Sequence, residues 1–505
     1  MTPTLLKPGV SGVDELLSRS GLSGVSDRLA EFLLQQRWFG GRGRPITSVL
    51  VDDAAVLDDG PPTTLFIVAK VSYRDGDSER YALAVFAGAH NPWEPASSEW
   101  RSSPSEEATM PVLGAHSDPV RISDALGDAR CASGLWRLMI GEGSIETRRG
   151  RLHGRSLGLL PWREGEEAIV PVGGEQSNTS LRRDEREFFK WVRRIDEGDI
   201  AEMEMARALA AAGFEHTPGV IGTIEYEVPG EPTCPVVVVQ PFVGGARDGW
   251  SLATASLGQT DGGASFVAEA ARLGTVTAEM HLALASPALP PELRAVPLST
   301  SLLGEWAEQM HRQLDGVMRT NLQAREALGP YRDGLFARFD ALTTVKPSGL
   351  ALRIHGDYHL GQVLRGEDGD WLVIDFGGEP LSSGNVRRSR SSPLRDVAGM
   401  LRSIDYAAAA SGARERHGAA AAAAWVARCR GDFWRAYCAT IGSHPLLPAG
   451  DGARVTLCAF EVHKAVYEFA YELSHRPSWA SIPLQSLASL AQAEPRGALA
   501  AGVAP

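Results

Sequence analysis

The chain is poor in the residues that staple a protein, anchor it in a bilayer or draw it to nucleic acid. Its five cysteines (Cys131, Cys234, Cys429, Cys438, Cys458) are scattered and never spaced C-x-x-C. That excludes a disulfide framework and a thiolate zinc site, and suits a reducing cytoplasm. No stretch approaches the roughly eighteen apolar residues that a membrane span needs. The segment Met1 to Pro8 has no signal-peptide core. Positive charge is in deficit, with 50 Lys and Arg against 62 Asp and Glu and a net charge of −12. A nucleic-acid partner, which needs a basic face, is therefore not expected. Arg182, Arg183, Arg186, Arg193 and Arg194 form one local basic cluster and Arg387, Arg388 and Arg390 another, both balanced elsewhere. Neither a Walker A loop, G-x-x-x-x-G-K-[ST], nor an H-E-x-x-H helix occurs. What remains is a soluble, cytoplasmic protein with 44% hydrophobic residues, enough for ordinary cores.

The most informative stretch is His355-Gly356-Asp357-Tyr358-His359-Leu360-Gly361-Gln362, followed thirteen residues later by Asp375-Phe376-Gly377. It sets out a carboxylate, an amide at the fifth position beyond it, and a second carboxylate after a short apolar run. Protein kinases use H-R-D-x-x-x-x-N and D-F-G in this order. There the first Asp orients the attacking hydroxyl, while the amide and the second Asp hold Mg²⁺ against the nucleotide phosphates. Asp357, Gln362 and Asp375 fit those positions, and the chemistry they suggest is phosphoryl transfer from ATP with Mg²⁺. His355 reads as a brace for the loop, and Glu379 as a holder of a metal-bound water or an acceptor hydroxyl. The rival, a hydrolase with His355 and His359 as metal ligands, fits poorly because Gly356 and Gly361 argue for a loop.

Upstream, residues 11–36 read as a helix, and 48–57, 64–73 and 80–87 as strands. A polar Ser- and Pro-rich stretch over 91–107 reads as a linker. Ala168 to Val172 is a strand leading into Gly173-Gly174-Glu175-Gln176-Ser177-Asn178, where backbone amides and the Ser177 and Asn178 side chains could cap phosphates. Phe188 to Val192 is the next strand and carries Lys190; a helix over 199–212 carries Glu204. Kinases pair such a lysine and glutamate to hold the α and β phosphates. Gln240, Phe242 and Val243 close a valine-rich strand where a kinase hinge would meet adenine. Beyond Gly249 the chain is mainly helical. Near the end, Glu461, Lys464, Glu468 and Glu472 share a helix stripe beside Tyr467 and Tyr471. The simplest reading is an i,i+3 and i,i+4 charge ladder. Sugar recognition is the alternative, since polar groups and an aromatic such as Trp479 suit hydroxyls and a C–H face.

These segments resemble the actinobacterial maltokinases, within the aminoglycoside-phosphotransferase-like kinases. The resemblance is carried by Gln36 to Arg42, Glu175 to Ser180, the His-Gly-Asp loop, Gly378-Glu379-Pro380, Ser392 to Ser403, Lys464 to Glu468 and Arg476 to Trp479. It implies an α+β, bilobal protein-kinase-like fold with an N-terminal cap subdomain fused to the first lobe. The implied division is a cap over 1–108, an intermediate subdomain over 109–167, a kinase N-lobe over 168–247 and a helical C-lobe over 248–505. It further implies phosphorylation of the anomeric hydroxyl of maltose for α-glucan synthesis, with Asp357 as base and Tyr358, Glu379, Arg395, Glu468, Tyr471 and Trp479 around the acceptor. A small-molecule sugar partner and a monomer are the corresponding expectations. The chain departs from the family in having Gly377 where D-F-E-G-E-P is usual and Tyr358 where Leu is usual. Both changes fall beside the acceptor, and glucosamine kinases on the same scaffold are the alternative.

Overall fold

Runs of alternating or continuous apolar residues in the first 244 residues fold into strands, and the longer helical periods after them into helices. The computed structural model describes residues 26, 29–36, 38–60, 63–88, 110–114, 117–158, 169–172, 178–195, 201–258, 263–378, 388–412 and 418–492. The chain forms two compact units, Met1–Ile200 with Gly219–Gly244, and Ala201–Pro218 with Gly245–Pro505.

The first unit holds β1 (Ile46–Asp58), β2 (Thr63–Tyr73), β3 (Ser78–Gly88), β4 (Met110–Gly114), β5 (Ser117–Asp124) and helix α1 (Ala129–Ile140). After these come β6 (Ser144–Glu146), β7 (Arg151–Ser156), β8 (Ile169–Pro171), β9 (Thr179–Arg183), β10 (Glu187–Trp191), β11 (Arg194–Ile195), β12 (Gly222–Glu227) and β13 (Cys234–Pro241). One antiparallel sheet runs β1-β2-β3-β5-β4, with β11 added on β3; the other runs β6-β7-β12-β13-β10-β9-β8. The two-residue side-chain period of a strand sorts β2 between two cores. Phe66 and Val68 join Trp136, Phe189, Trp191 and Val237, while Leu65, Ile67 and Ala69 join Leu29, Phe32, Trp38 and Phe39. Burial on both faces is why this strand is a nearly unbroken apolar run. α1 starts at Asp128, whose side chain accepts from the Arg130 and Cys131 backbone amides.

Among the described residues, the strands of the expected intermediate subdomain, 109–167, are shared between the two sheets. Its β4 and β5 complete the cap sheet, whereas β6 and β7 extend the second sheet through β12. Strands too short to form a sheet of their own are stable only by pairing with longer neighbours.

The second unit contains α2 (Ala201–Ala211), β14 (Arg247–Asp248), α3 (Gly249–Ser256), α4 (Ala264–Leu284), β15 (Val296–Pro297), α5 (Thr300–Thr320), α6 (Leu322–Leu328) and α7 (Arg332–Asp340). It continues with β16 (Leu350–Ala351), β17 (Val363–Arg365), β18 (Trp371–Val373), α8 (Leu394–Ala410), α9 (Ala419–Ile441), α10 (Gly452–His475) and α11 (Ser481–Gln492). One apolar core joins them, including Leu273, Trp306, Leu360, Trp371, Leu401, Trp425, Phe433 and Phe469. α2, within the expected 168–247 lobe, groups with this unit, since Met205 and Leu209 pack into the helical core. No helix among the described residues is long and apolar enough to cross a membrane.

Candidate active site

Three short elements of the second unit set the loop that the sequence singled out. β17 and β18 form a hairpin with Val363 opposite Val373 and Arg365 opposite Trp371. Gln362 precedes the first strand, and the Ile374 amide donates to its carbonyl at 3.0 Å. That register brings Gln362 beside Asp375, and Gln362 Nε2 donates to Asp375 Oδ2 at 3.2 Å. The thirteen-residue spacing is thus the length of one hairpin. Asp375 has φ 63°, a left-handed conformation costing a non-glycine residue on the order of 1 kcal/mol, of the kind concentrated at functional sites.

The loop is fixed from below by a carboxylate. Asp396, in the first turn of α8 and 1% exposed, accepts from the His355 amide at 2.8 Å and the Gly356 amide at 2.9 Å. His281 Nε2 lies 3.2 Å from the same carboxylate, and His281 Nδ1 is 2.9 Å from the Tyr437 hydroxyl. Burial pushes the Asp396 carboxyl up, but His281, His355 and the Gly356 amide outweigh it and hold it below the ordinary range. Gly356, at φ 86°, makes the turn that exposes both amides. Gly399 lets α8 approach, since a Cβ there would lie 2.5 Å from the Tyr358 carbonyl oxygen. His355 ties loop to hairpin: its Nδ1 accepts from the Asp357 amide at 3.3 Å, and its Nε2 donates to the Ile374 carbonyl at 2.9 Å.

Asp357 lies between two positions, Gly356 and Tyr358, that line a cleft. Its Oδ1 accepts from Lys464 Nζ at 3.1 Å, and among the described residues Oδ2 has only His359 Nε2, at 3.9 Å. Burial raises the Asp357 carboxyl, but Lys464 and then His359 more than offset it, so the net direction is downward. The His359 imidazole is pushed down by burial. The cleft is lined by Gln313, Arg395, Lys464 and Tyr467 with His463, Phe460 and the Gly356, Tyr358 and Gly399 positions.

The structure separates the expected acceptor residues. Arg395 lines the cleft. Tyr358 borders it, but the expected phenol does not enter it: the side chain is buried and its hydroxyl lies 2.9 Å from Thr277 Oγ1 on α4. Glu468 is also turned away, with Oε2 taking both Arg402 Nε at 3.0 Å and an Arg402 terminal nitrogen at 2.7 Å. Tyr471 and Trp479 lie outside the lining residues. Tyr471 stacks on His475 with centroids 4.3 Å apart, and the Arg476 guanidinium sits over both Tyr471 and Trp479. Glu379 and Ser177 are outside the described residues, as is most of the glycine turn before Asn178.

The charge ladder on α10 is not a ladder. Glu461 pairs with Arg430 of α9, Lys464 with Asp357 and Glu468 with Arg402 of α8, while Glu472 takes an i+4 partner, Arg476. Long-range partners won because this stripe faces the protein, not solvent; Glu461 and Glu472 are each 2% exposed. The sequence reading therefore missed Lys464 as a neighbour of the catalytic loop. It also missed Gln313, for which no local signal exists, and Asp396 as the anchor beneath the loop.

The nucleotide-side candidates divide between the units. In the first, half-buried Lys190 lies on β10 opposite Ser180 of β9 and Val238 of β13, a strand position flanked by the turn-bearing hairpin and the valine strand. Asn178 Oδ1 accepts from the Arg193 amide at 3.3 Å. Gln240, the next-to-last residue of β13, lies opposite Phe188, and beyond the strand the Phe242 amide donates to the Arg186 carbonyl at 2.7 Å. In the second unit, Glu204 on α2 is held by two arginines, Arg353 at 2.8 Å and Arg388 at 3.0 Å. The sequence order that suggested a lysine partner gave no sign of them.

Gln362 and Asp375 suit a hard cation. Among the described residues no group of three or more His, Cys, Asp or Glu could hold a metal. A carboxylate beside an amide could supply two oxygen donors to Mg²⁺ only if water or phosphate oxygens supplied the rest.

Residues 32–128 match the maltokinase N-terminal cap domain, and residues 168–443, just over half of the chain, match the phosphotransferase enzyme family. A glucosamine kinase of Streptacidiphilus jiangxiensis is 29% identical over 384 residues, covering 71% of this chain and 83% of that protein. Another, from Mycolicibacterium smegmatis, is 28% identical over 386 residues, covering 72% and 92%. Among solved structures, a glucosamine kinase in complex with glucosamine, ADP and inorganic phosphate superposes with a TM-score of 0.61 at 21% identity, covering 91% of this chain and 98% of that one. A second glucosamine kinase crystal form gives 0.63 at 23%, covering 94% and 99%. The fold is thus the bilobal α+β one of the aminoglycoside-phosphotransferase-like kinases, preceded by a cap. The chain belongs to the phosphotransferase enzyme family, and it is a kinase with a small-molecule hydroxyl as acceptor.

Proposed function

We propose that this protein is an ATP- and Mg²⁺-dependent sugar kinase whose acceptor is glucosamine rather than maltose. The observation that carries the reading is the loop: Asp357 lies between the cleft-lining positions Gly356 and Tyr358 and bonds Lys464 of the cleft wall, while Gln362 and Asp375 sit 3.2 Å apart on the adjoining hairpin. One carboxylate is thereby available to an alcohol, and a separate oxygen pair to a metal nucleotide. The two curated relatives that bear the name glucosamine kinase, aligned over more than two thirds of the chain, support the choice of acceptor. The match of the cap to that of maltokinases favours maltose as the second reading.

Asp357 does the proton work in this proposal. Kept ionised by Lys464 and anchored through its own amide on His355, it orients the acceptor hydroxyl and takes its proton, worth about 10²–10⁴-fold. Gln362 and Asp375 would hold Mg²⁺, which when bound neutralises charge on the phosphates. Lys190 and Glu204 are proposed for the nucleotide side, with Asn178 and Ser177 near its phosphates and the Gln240 to Val243 segment offering backbone groups to adenine. Arg395 and Lys464, with Tyr467, bound the acceptor; Glu379 is retained as a candidate there. ADP release should be followed with glucosamine, maltose and glucose in turn. Acceleration by glucosamine above the others supports the proposal; acceleration by maltose alone returns the reading to a maltokinase.

A further inference from the structure

The cleft beside Asp357 contains a polar side chain that phosphoryl transfer does not use. His463, next to Lys464 on α10, lines that cleft with Gln313, Arg395 and Tyr467. Its Nε2 is buried, and among the described residues it has no hydrogen-bond partner. Buried side-chain nitrogens nearly always have a partner in a native structure, so an unsatisfied one on a residue that lines a cleft points to a group that arrives from outside. Successive residues of a helix point about 100° apart, so what meets His463 is a different atom from the one Lys464 and Asp357 surround.

The electronic state of the ring narrows the chemistry. Burial, reinforced by the Arg395 and Lys464 cations, pushes its pKa down to about 3, so the imidazole is neutral throughout the working range. A neutral imidazole offers one donor and one acceptor nitrogen, and a hydroxyl matches either. Arg395 and Lys464 bring only donors to the same wall, so the histidine adds the adaptable position.

We propose that His463 is an acceptor-specificity residue, its Nε2 hydrogen-bonding a sugar hydroxyl other than the one phosphorylated. This rests on the sugar-kinase reading above. Its role is to recognise the ground state and the transition state equally, which changes KM and leaves kcat alone.

The test compares wild type with His463→Ala, His463→Phe and His463→Gln, using glucosamine and a set of its monodeoxy analogues. His463→Ala and the volume-keeping His463→Phe should each raise the KM for glucosamine about three- to tenfold, with kcat and the KM for ATP within twofold. His463→Gln should recover part of the loss. One monodeoxy analogue should be as poor a substrate for wild type as for His463→Phe, identifying the hydroxyl concerned. An unchanged acceptor KM in His463→Phe, or an equal penalty with every analogue, would overturn the assignment. Failure of wild type to phosphorylate any sugar would remove the kinase reading itself, and the assignment with it.

Discussion

The loop from His355 to Gln362 and the helix from Gly452 to His475 supply the same cleft by opposite means. The loop is held by its backbone: amides of His355 and Gly356 on Asp396, the amide of Asp357 on His355, and the Gly356 turn. Its functional side chains are left over from that scaffold, and Asp357 meets the cleft wall through Lys464. The helix has an ordinary backbone, and Glu461, Lys464 and Glu468 on its inner stripe find partners on other elements, Arg430, Asp357 and Arg402. A site built from a constrained backbone carries a local signature. One built from distant side-chain pairs does not.

Substitutions can break that contrast, beginning with the largest effect. Asp357→Asn should lower kcat by about 10²–10⁴-fold while ATP·Mg²⁺ affinity, read by calorimetry, stays within severalfold. Asp396→Ala removes the acceptor of two loop amides and of His281, and should destabilise the protein by roughly 3 kcal/mol in denaturant unfolding. Because the Asp396 carboxyl is held below its ordinary value, its contribution is complete at neutral pH and is lost as pH falls through the depressed value. Acid unfolding of the variant should therefore be shallower than that of wild type.

The helix side gives smaller and different effects. Lys464→Met removes the cation that keeps Asp357 ionised and leaves burial, which pushes the carboxyl up. The acidic limb of kcat/KM should move to higher pH, with little change in thermal midpoint; an unmoved limb would detach Lys464 from the base. Smallest of all is Tyr358→Phe, which loses the contact to Thr277 and about 1 kcal/mol of stability. Acceptor KM should be unchanged, as befits a phenol turned into the core.

This contrast also explains what the sequence could tell. Asp357, Gln362 and Asp375 were legible because a hairpin of fixed length sets their spacing, so geometry is written into residue count. The β-rich first unit was legible through the two-residue period of strands such as β2. The partners of Glu204, Glu468 and Lys464 were not, since Arg353, Arg402 and Asp357 lie 149, 66 and 107 residues away in the chain. Nor did spacing reveal the orientation of Tyr358, because neighbouring loop residues alternate between cleft and core according to backbone turns that Gly356 and Gly361 permit.

The division of labour within the loop can be measured with Mn²⁺ in place of Mg²⁺, following metal retained in the presence of ATP by paramagnetic resonance. Asp375→Asn should release most of the bound Mn²⁺, whereas Asp357→Asn should retain it and still fail to phosphorylate glucosamine. Equal retention by both variants, or loss by Asp357→Asn alone, would contradict the assignment of one carboxylate to the metal and the other to the alcohol.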